Sequence, residues 1–144
     1  MEKIYTALGL MSGTSMDGVD VSVINSDGNA DYLGVFDQYF EYNKELYQKL
    51  INLRDKIINL EDLKINFKEI KLIEREVTIF HAEVVNQIVK TSKINFDFIG
   101  FHGQTIFHNP ENKITKQLGD GKLLSQLTKK IVVYDFRQND LING

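Results

Sequence analysis

The sequence contains no cysteine and no tryptophan, and its 144 residues include a single proline, Pro110. Without cysteine there is neither a disulfide framework nor a thiolate metal site, which fits a cytoplasmic protein. One proline leaves no Pro-rich linker to mark a domain boundary. Positive charge is not in excess: 17 Lys and Arg stand against 20 Asp and Glu, a formal net charge of −3. The chain therefore carries no general basic footprint for nucleic acid. No apolar run approaches the roughly 18 residues of a membrane span, and the opening Met1–Tyr5 has no signal-peptide core. What remains is 42% hydrophobic and 26% charged, a globular balance, at a length suited to one domain with a sizeable core.

The stretch around which the rest is organised is Gly9-Leu-Met-Ser-Gly-Thr-Ser-Met-Asp-Gly-Val-Asp20. An apolar strand, Ile4 to Leu10, enters a polar turn, and a second strand, Val19 to Ile24, leaves it. Val19, Val21 and Val23 share one face by period-two alternation. The turn offers two glycines, three hydroxyls and a carboxylate. Glycines let backbone N–H groups converge on an anion, and hydroxyls donate further bonds. Asp17 would repel a phosphate unless a cation stood between them, which suggests Mg²⁺. An ordinary hairpin loop has similar composition, so both readings stand on these residues alone. The loop lacks the Gly-x₄-Gly-Lys spacing of a Walker loop, and a strand follows it instead of a helix.

Ser26-Asp27-Gly28-Asn29 is a turn signal, and Tyr32 to Tyr42 reads as a third strand. The opening is thus a three-stranded antiparallel meander. The middle is helical: Leu46, Leu50, Leu53 and Ile57 recur at helical spacing, as do Ile70, Ile73, Val77, Phe80, Val84 and Ile88. Between them, residues 59–66 are ambiguous. Glu69, Lys71, Glu74 and Glu76 read as a solvated face. His81 reads as structural or exposed, with no partner near it in sequence.

Two further polar patches follow strands. Asp97 to Phe101 reads as a buried strand running into His102-Gly103-Gln104-Thr105, in the place where open α/β sheets gather ligands. Gln104 both donates and accepts, as sugar hydroxyls require, and His102 could position a ligand; the alternative is a polar turn. His102 and His108 are not at helical metal-ligand spacing. Near the end, Gln117-Leu-Gly-Asp-Gly121 reads as a tight turn before a helix, Lys122 to Lys130. A β-branched strand, Ile131 to Tyr134, then leads into Asp135-Phe-Arg-Gln-Asn-Asp140. Arg137 offers a planar donor fork for carboxylate or phosphate, or else an ion pair with Asp135 or Asp140.

These four motifs, in this order and spacing, resemble the N-terminal part of the anhydro-N-acetylmuramic acid kinase family over essentially the whole chain. The resemblance implies an α/β fold of the actin-like, sugar-kinase-like ATPase kind (a ribonuclease H-like lobe), with residues 1–144 as one lobe of a two-lobe enzyme. It implies that Gly13, Thr14, Ser15, Met16, Asp17, Gly18, Val19 and Asp20 belong to an ATP site. It places His102, Gln104, Thr105 and Arg137 on the sugar side of the cleft, and gives Asp120 no firm role. The implied reaction opens the 1,6-anhydro bond of anhydro-N-acetylmuramic acid and phosphorylates O6, with ATP and Mg²⁺, in peptidoglycan recycling. Family members are more than twice this length. Their catalytic base and second phosphate loop match no residue before Gly144, so no catalytic residue is assigned here. A separate C-terminal polypeptide could supply them, and a homodimer is compatible with the resemblance. The other expectation is a non-catalytic remnant or assembly partner. After the His-Gly-Gln-Thr motif the family often has Trp; here Phe107 keeps an aromatic for sugar stacking.

Overall fold

In the computed structural model, residues 3–136 are described. The chain opens with three strands, β1 (Tyr5–Ser12), β2 (Gly18–Ser26) and β3 (Tyr32–Glu41). Both successive pairings are antiparallel, so the meander forms as its alternation requires. Leu8 and Leu10 on β1 and Val19, Val21 and Val23 on β2 are buried on one face of the sheet. Their neighbours Met11, Asp20 and Ser22 point to the other face, which is open.

Three helices follow: α1 (Lys44–Lys56), α2 (Leu60–Ile65) and α3 (Phe67–Ser92). Asn43 starts α1 by accepting a hydrogen bond from the Leu46 amide at 2.8 Å, which satisfies one of the free donors of a first helical turn. The ambiguous stretch 59–66 is largely α2, held by a capping box between Asn59 and Asp62. Leu46, Leu50 and Leu53 of α1, and Ile70, Ile73, Val77, Val84 and Ile88 of α3, join the sheet valines in one core. Fully burying each such aliphatic side chain contributes about 1.5–3 kcal/mol.

The remaining elements are β4 (Phe98–Asn109), β5 (Ile114–Leu118), α4 (Gly121–Thr128) and β6 (Ile131–Val133). The sheet order is β3-β2-β1-β4-β5, with β6 also on β4. β4 is the hinge of this arrangement. Its whole first half runs parallel to β1 on one side. On the other side, Phe98–Gly100 pairs with β6 in parallel, and Gln104–Asn109 pairs with β5 antiparallel. The result is a mixed sheet with helices packed on one face, consistent with the N-terminal lobe of a sugar kinase.

Three expectations need correction. β4 does not end at Phe101: residues 102–105 lie inside the strand, at an irregularity where the β1 register shifts between Leu10 and Ser12. The turn at 117–121 is the end of a fifth strand followed directly by a helix, and Asp120 caps that helix by accepting from the Leu123 amide at 3.1 Å. Glu74 is not solvated; it is 7% exposed. Its carboxylate accepts the Gly119 amide at 3.2 Å and faces Lys71 and Lys116.

Candidate functional site

The polar tip, residues 13–17, spans the gap between the ends of β1 and β2. Its backbone is fixed from both sides. The Met16 amide donates to the Gly13 carbonyl at 3.2 Å, and the Tyr42 amide donates to the Asp17 carbonyl at 2.8 Å. Met16 sits in the left-handed region with φ 62°, which carries its side chain down into the core, where it is 2% exposed. The thioether thus works as a plug beneath the loop, while Gly13, Thr14, Ser15 and Asp17 remain exposed above it. Gly18 closes the turn where β2 and β3 come nearest. A β-carbon there would fall on the Phe40 carbonyl oxygen and within 2.8 Å of the Glu41 Cα.

Beneath the tip runs a chain of buried polar groups that joins it to the helical layer. The Gln104 side-chain amide donates to the Gly13 carbonyl at 2.9 Å. Its oxygen accepts from the Tyr42 hydroxyl at 3.1 Å. Tyr42 lies 3.0 Å from the Ser12 hydroxyl, which lies 3.3 Å from His81 Nε2. His81 Nδ1 is 2.7 Å from the Val77 carbonyl. A carbonyl can only accept, so the proton sits on Nδ1. Burial pushes the Tyr42 phenol well above its ordinary value, the Ser12 bond opposing it.

Neither Tyr42 nor His81 stood out in the sequence as a site residue. His81 is fully buried, which removes the exposed alternative, and its partners are Ser12 and Val77. The i, i+4 stripe Val77-His81 on the apolar face of α3 was the available signal.

Burial pushes the His81 imidazole down to about 4, with the Val77 bond opposing it. The unfolded chain, whose histidine titrates near 6.5, therefore binds the extra proton first. The associated stability is fully present above pH 6.5 and is lost as pH falls toward 4. Between pH 7.5 and pH 5 the loss amounts to about 2 kcal/mol. Urea unfolding at both pH values should show the wild-type chain losing about that much more than His81→Gln; equal losses would rule the account out.

The open face of the sheet forms a groove of about 650 Å³ lined by Gly9, Met11, Asp20, Ser22, His102 and Phe136, among others. It brings Asp20, from the first motif, together with His102, from the second. β1 lies between them: Asp20 on β2 pairs with Met11, and β1 in turn pairs with β4. Asp17 does not join this groove. It lines a separate depression with Tyr39, Glu41, Tyr42, Lys44 and Tyr47. Desolvation, then the charges of Asp17, Glu41 and Asp20, raises the Tyr39 phenol above its ordinary value. The tip thus borders an acidic region, which repels a polyphosphate unless a cation stands between them.

The other expected site residues are placed as follows. His102 is half-buried, with Nδ1 2.9 Å from the Gly103 carbonyl. Gln104 is fully buried, with both ends of its amide bonded to protein. Thr105 accepts from the Gln117 side chain at 3.1 Å. Val19 is a core residue. Arg137 lies outside the described residues. Among the described residues no group of three His, Cys, Asp or Glu could hold a metal by itself. Mg²⁺ commonly takes one or two carboxylates together with substrate phosphates and water; Asp17 and Asp20 are exposed carboxylates lining separate depressions. No helix among the described residues is long and apolar enough to cross a membrane.

Comparison with known proteins gives consistent matches. A family model described as anhydro-N-acetylmuramic acid kinase matches residues 5–144. An anhydro-N-acetylmuramic acid kinase of Pelagibacter ubique is 58% identical over 144 residues, covering 100% of this chain and 38% of that relative. Enzymes of the same name from Agrobacterium fabrum and Rhizobium etli are 37% and 38% identical over 150 and 152 residues. They too are matched along 100% of this chain, which spans 39% and 40% of their length.

Proposed function

Because the chain belongs to the anhydro-N-acetylmuramic acid kinase family, we propose that it forms the phosphate-gripping and part of the sugar-facing wall of an ATP-dependent anhydro-sugar kinase. The reaction is hydrolytic opening of the 1,6-anhydro bond of anhydro-N-acetylmuramic acid with phosphorylation of O6. Water adds at the anomeric carbon, O6 takes the γ-phosphoryl group, and N-acetylmuramic acid 6-phosphate and ADP leave. In the cell this serves peptidoglycan recycling. Residues 1–144 act as one lobe of the actin-like, sugar-kinase-like fold, with the open sheet face as one side of the cleft.

The observation that carries this reading is the groove that Asp20 and His102 both line on the open sheet face. What supports it is that the first motif begins on β1 and the second lies on β4, two strands that pair directly. The tip residues bind: amides and the Thr14 and Ser15 hydroxyls donate to phosphate oxygens. Asp17, at the tip itself, would hold Mg²⁺, which when bound neutralises phosphate charge. His102 orients the sugar from the floor of the groove, and Thr105 belongs to the same motif. The base that activates water comes from residues other than these.

The test is release of ADP from Mg-ATP in the presence of anhydro-N-acetylmuramic acid. It is run with this chain alone and with the polypeptide encoded immediately downstream. Turnover only in the mixture is expected. Turnover by the chain alone would overturn the assignment of the base elsewhere, and none in either would make this chain a remnant.

A further inference from the structure

The buried chain of polar groups under the tip does not have enough protons to make all its bonds. Four contacts need a donor: His81 to Val77, His81 to Ser12, Ser12 to Tyr42, and Tyr42 to Gln104. A neutral imidazole, one serine hydroxyl and one phenol supply three protons. The Nδ1 proton is committed to the Val77 carbonyl. Gln104 must turn its NH₂ toward the Gly13 and Thr105 carbonyls, so its oxygen faces Tyr42 and can only accept. The phenol proton is then committed to Gln104, and Ser12 has one proton for two neighbours. It lies 3.0 Å from the Tyr42 oxygen and 3.3 Å from His81 Nε2. The longer contact is the one left without a proton.

We infer that Tyr42 and Gln104 are positioning residues for the 13–17 tip, joined in a one-way donor chain that runs Ser12 to Tyr42 to Gln104 to the Gly13 carbonyl and leaves His81 Nε2 as a bare lone pair. The surroundings favour this order. His81 is fully buried, its ring 5.0 Å from that of Phe101, and among the described residues no carboxylate forms an ion pair with it that would hold it charged. Tyr42 is fixed independently by its ring, packed edge-on to Phe80 at 4.9 Å, and by its own amide bond to Asp17. One residue therefore holds the tip at both ends: through its amide at Asp17 and, through Gln104, at Gly13. Spacing the two ends of the loop sets how its amides and hydroxyls converge. This gives Tyr42 a part in nucleotide affinity that rests on the proposed phosphate-gripping role of the tip.

The order of protons makes the experiment selective. In Tyr42→Phe the Gln104 oxygen loses its donor while staying buried, and Ser12 is free to turn to His81. The Met16 amide and that of residue 42 should exchange with solvent on the order of tenfold faster, with Val21 and Val23 unchanged. The ¹⁵N resonance of His81 Nε2 should move upfield as it gains a hydrogen bond. Gln104→Leu should loosen the same amides, whereas Ser12→Ala should not, because Tyr42 still donates to Gln104. The wild-type ¹⁵N signal at pH 7.5 needs no variant: a bare Nε2 is expected, and a hydrogen-bonded or protonated one overturns the proton order. Unchanged loop exchange in Tyr42→Phe overturns the positioning role. In the assembled kinase, Tyr42→Phe should raise KM for Mg-ATP about tenfold with kcat affected less. Faster loop exchange with an unchanged KM would keep the positioning role and remove the phosphate-gripping reading of the tip.

Discussion

Gly18→Ala is expected to destabilise the chain by about 3 kcal/mol or more, as a core overpacking that the backbone itself must absorb. The added carbon would meet the Phe40 carbonyl oxygen, the Glu41 Cα at 2.8 Å and the Tyr39 ring at 2.9 Å. Two of these are main-chain atoms of β3, paired directly with Gly18, so no rotamer change makes room. β3 has to retreat, and with it goes the bond from the Tyr42 amide to the Asp17 carbonyl. Gly18 has no positive φ, so the cost is steric. Gly34→Ala is the control: on β3, nothing lies within 4 Å of its added carbon, and a shift within about 0.5 kcal/mol is expected. Urea unfolding of both variants decides the matter; equal midpoints would show that the β2–β3 end is looser than described.

Gly103→Ala should cost about 2–4 kcal/mol, from two separable sources. Its φ of 79° lies in the left-handed region, which costs an alanine about 1–2 kcal/mol. Its β-carbon would also lie 2.7 Å from the Leu118 carbonyl oxygen, pushing β5 off β4. Gly28 separates the two sources. It has φ 83° but nothing within 4 Å, so Gly28→Ala should show the backbone cost alone. The difference between the two variants is the steric share, and urea unfolding reads both. The site consequence follows from position: displacing residue 103 moves Gln104 and the Gly13 carbonyl it holds.

Much of the architecture was legible in the sequence because its signals are local. Val19, Val21 and Val23 alternate, Leu46-Leu50-Leu53 recur at helical spacing, and each pattern lands on the buried side. The first motif was legible as a turn between two strands for the same reason. The rest depended on partners distant in the chain. β5 was missed because Ile114–Leu118 is short and mixes polar with apolar residues; its pairing with the second half of β4 makes it a strand. His102–Thr105 looked like a loop since Gly103 punctuates it, yet the strand continues through Gln104, which pairs with β1 on one side and β5 on the other. Glu74 looked solvated because its helix neighbours are charged, while the Gly119 amide that buries it comes from 45 residues away. Tyr42 and His81 have the same origin: each is an unremarkable member of its own element, and only the packing of α3 under β1 and β4 assembles them.

The central claim is that residues 13–20 grip nucleotide phosphates. Titrating the chain with ATP, with and without Mg²⁺, while following backbone amide resonances tests it most directly. The account predicts shifts concentrated at Gly13 to Asp20, enhanced by Mg²⁺ and weakened in Asp17→Asn. Shifts centred elsewhere on the sheet, or none at millimolar nucleotide, would contradict it.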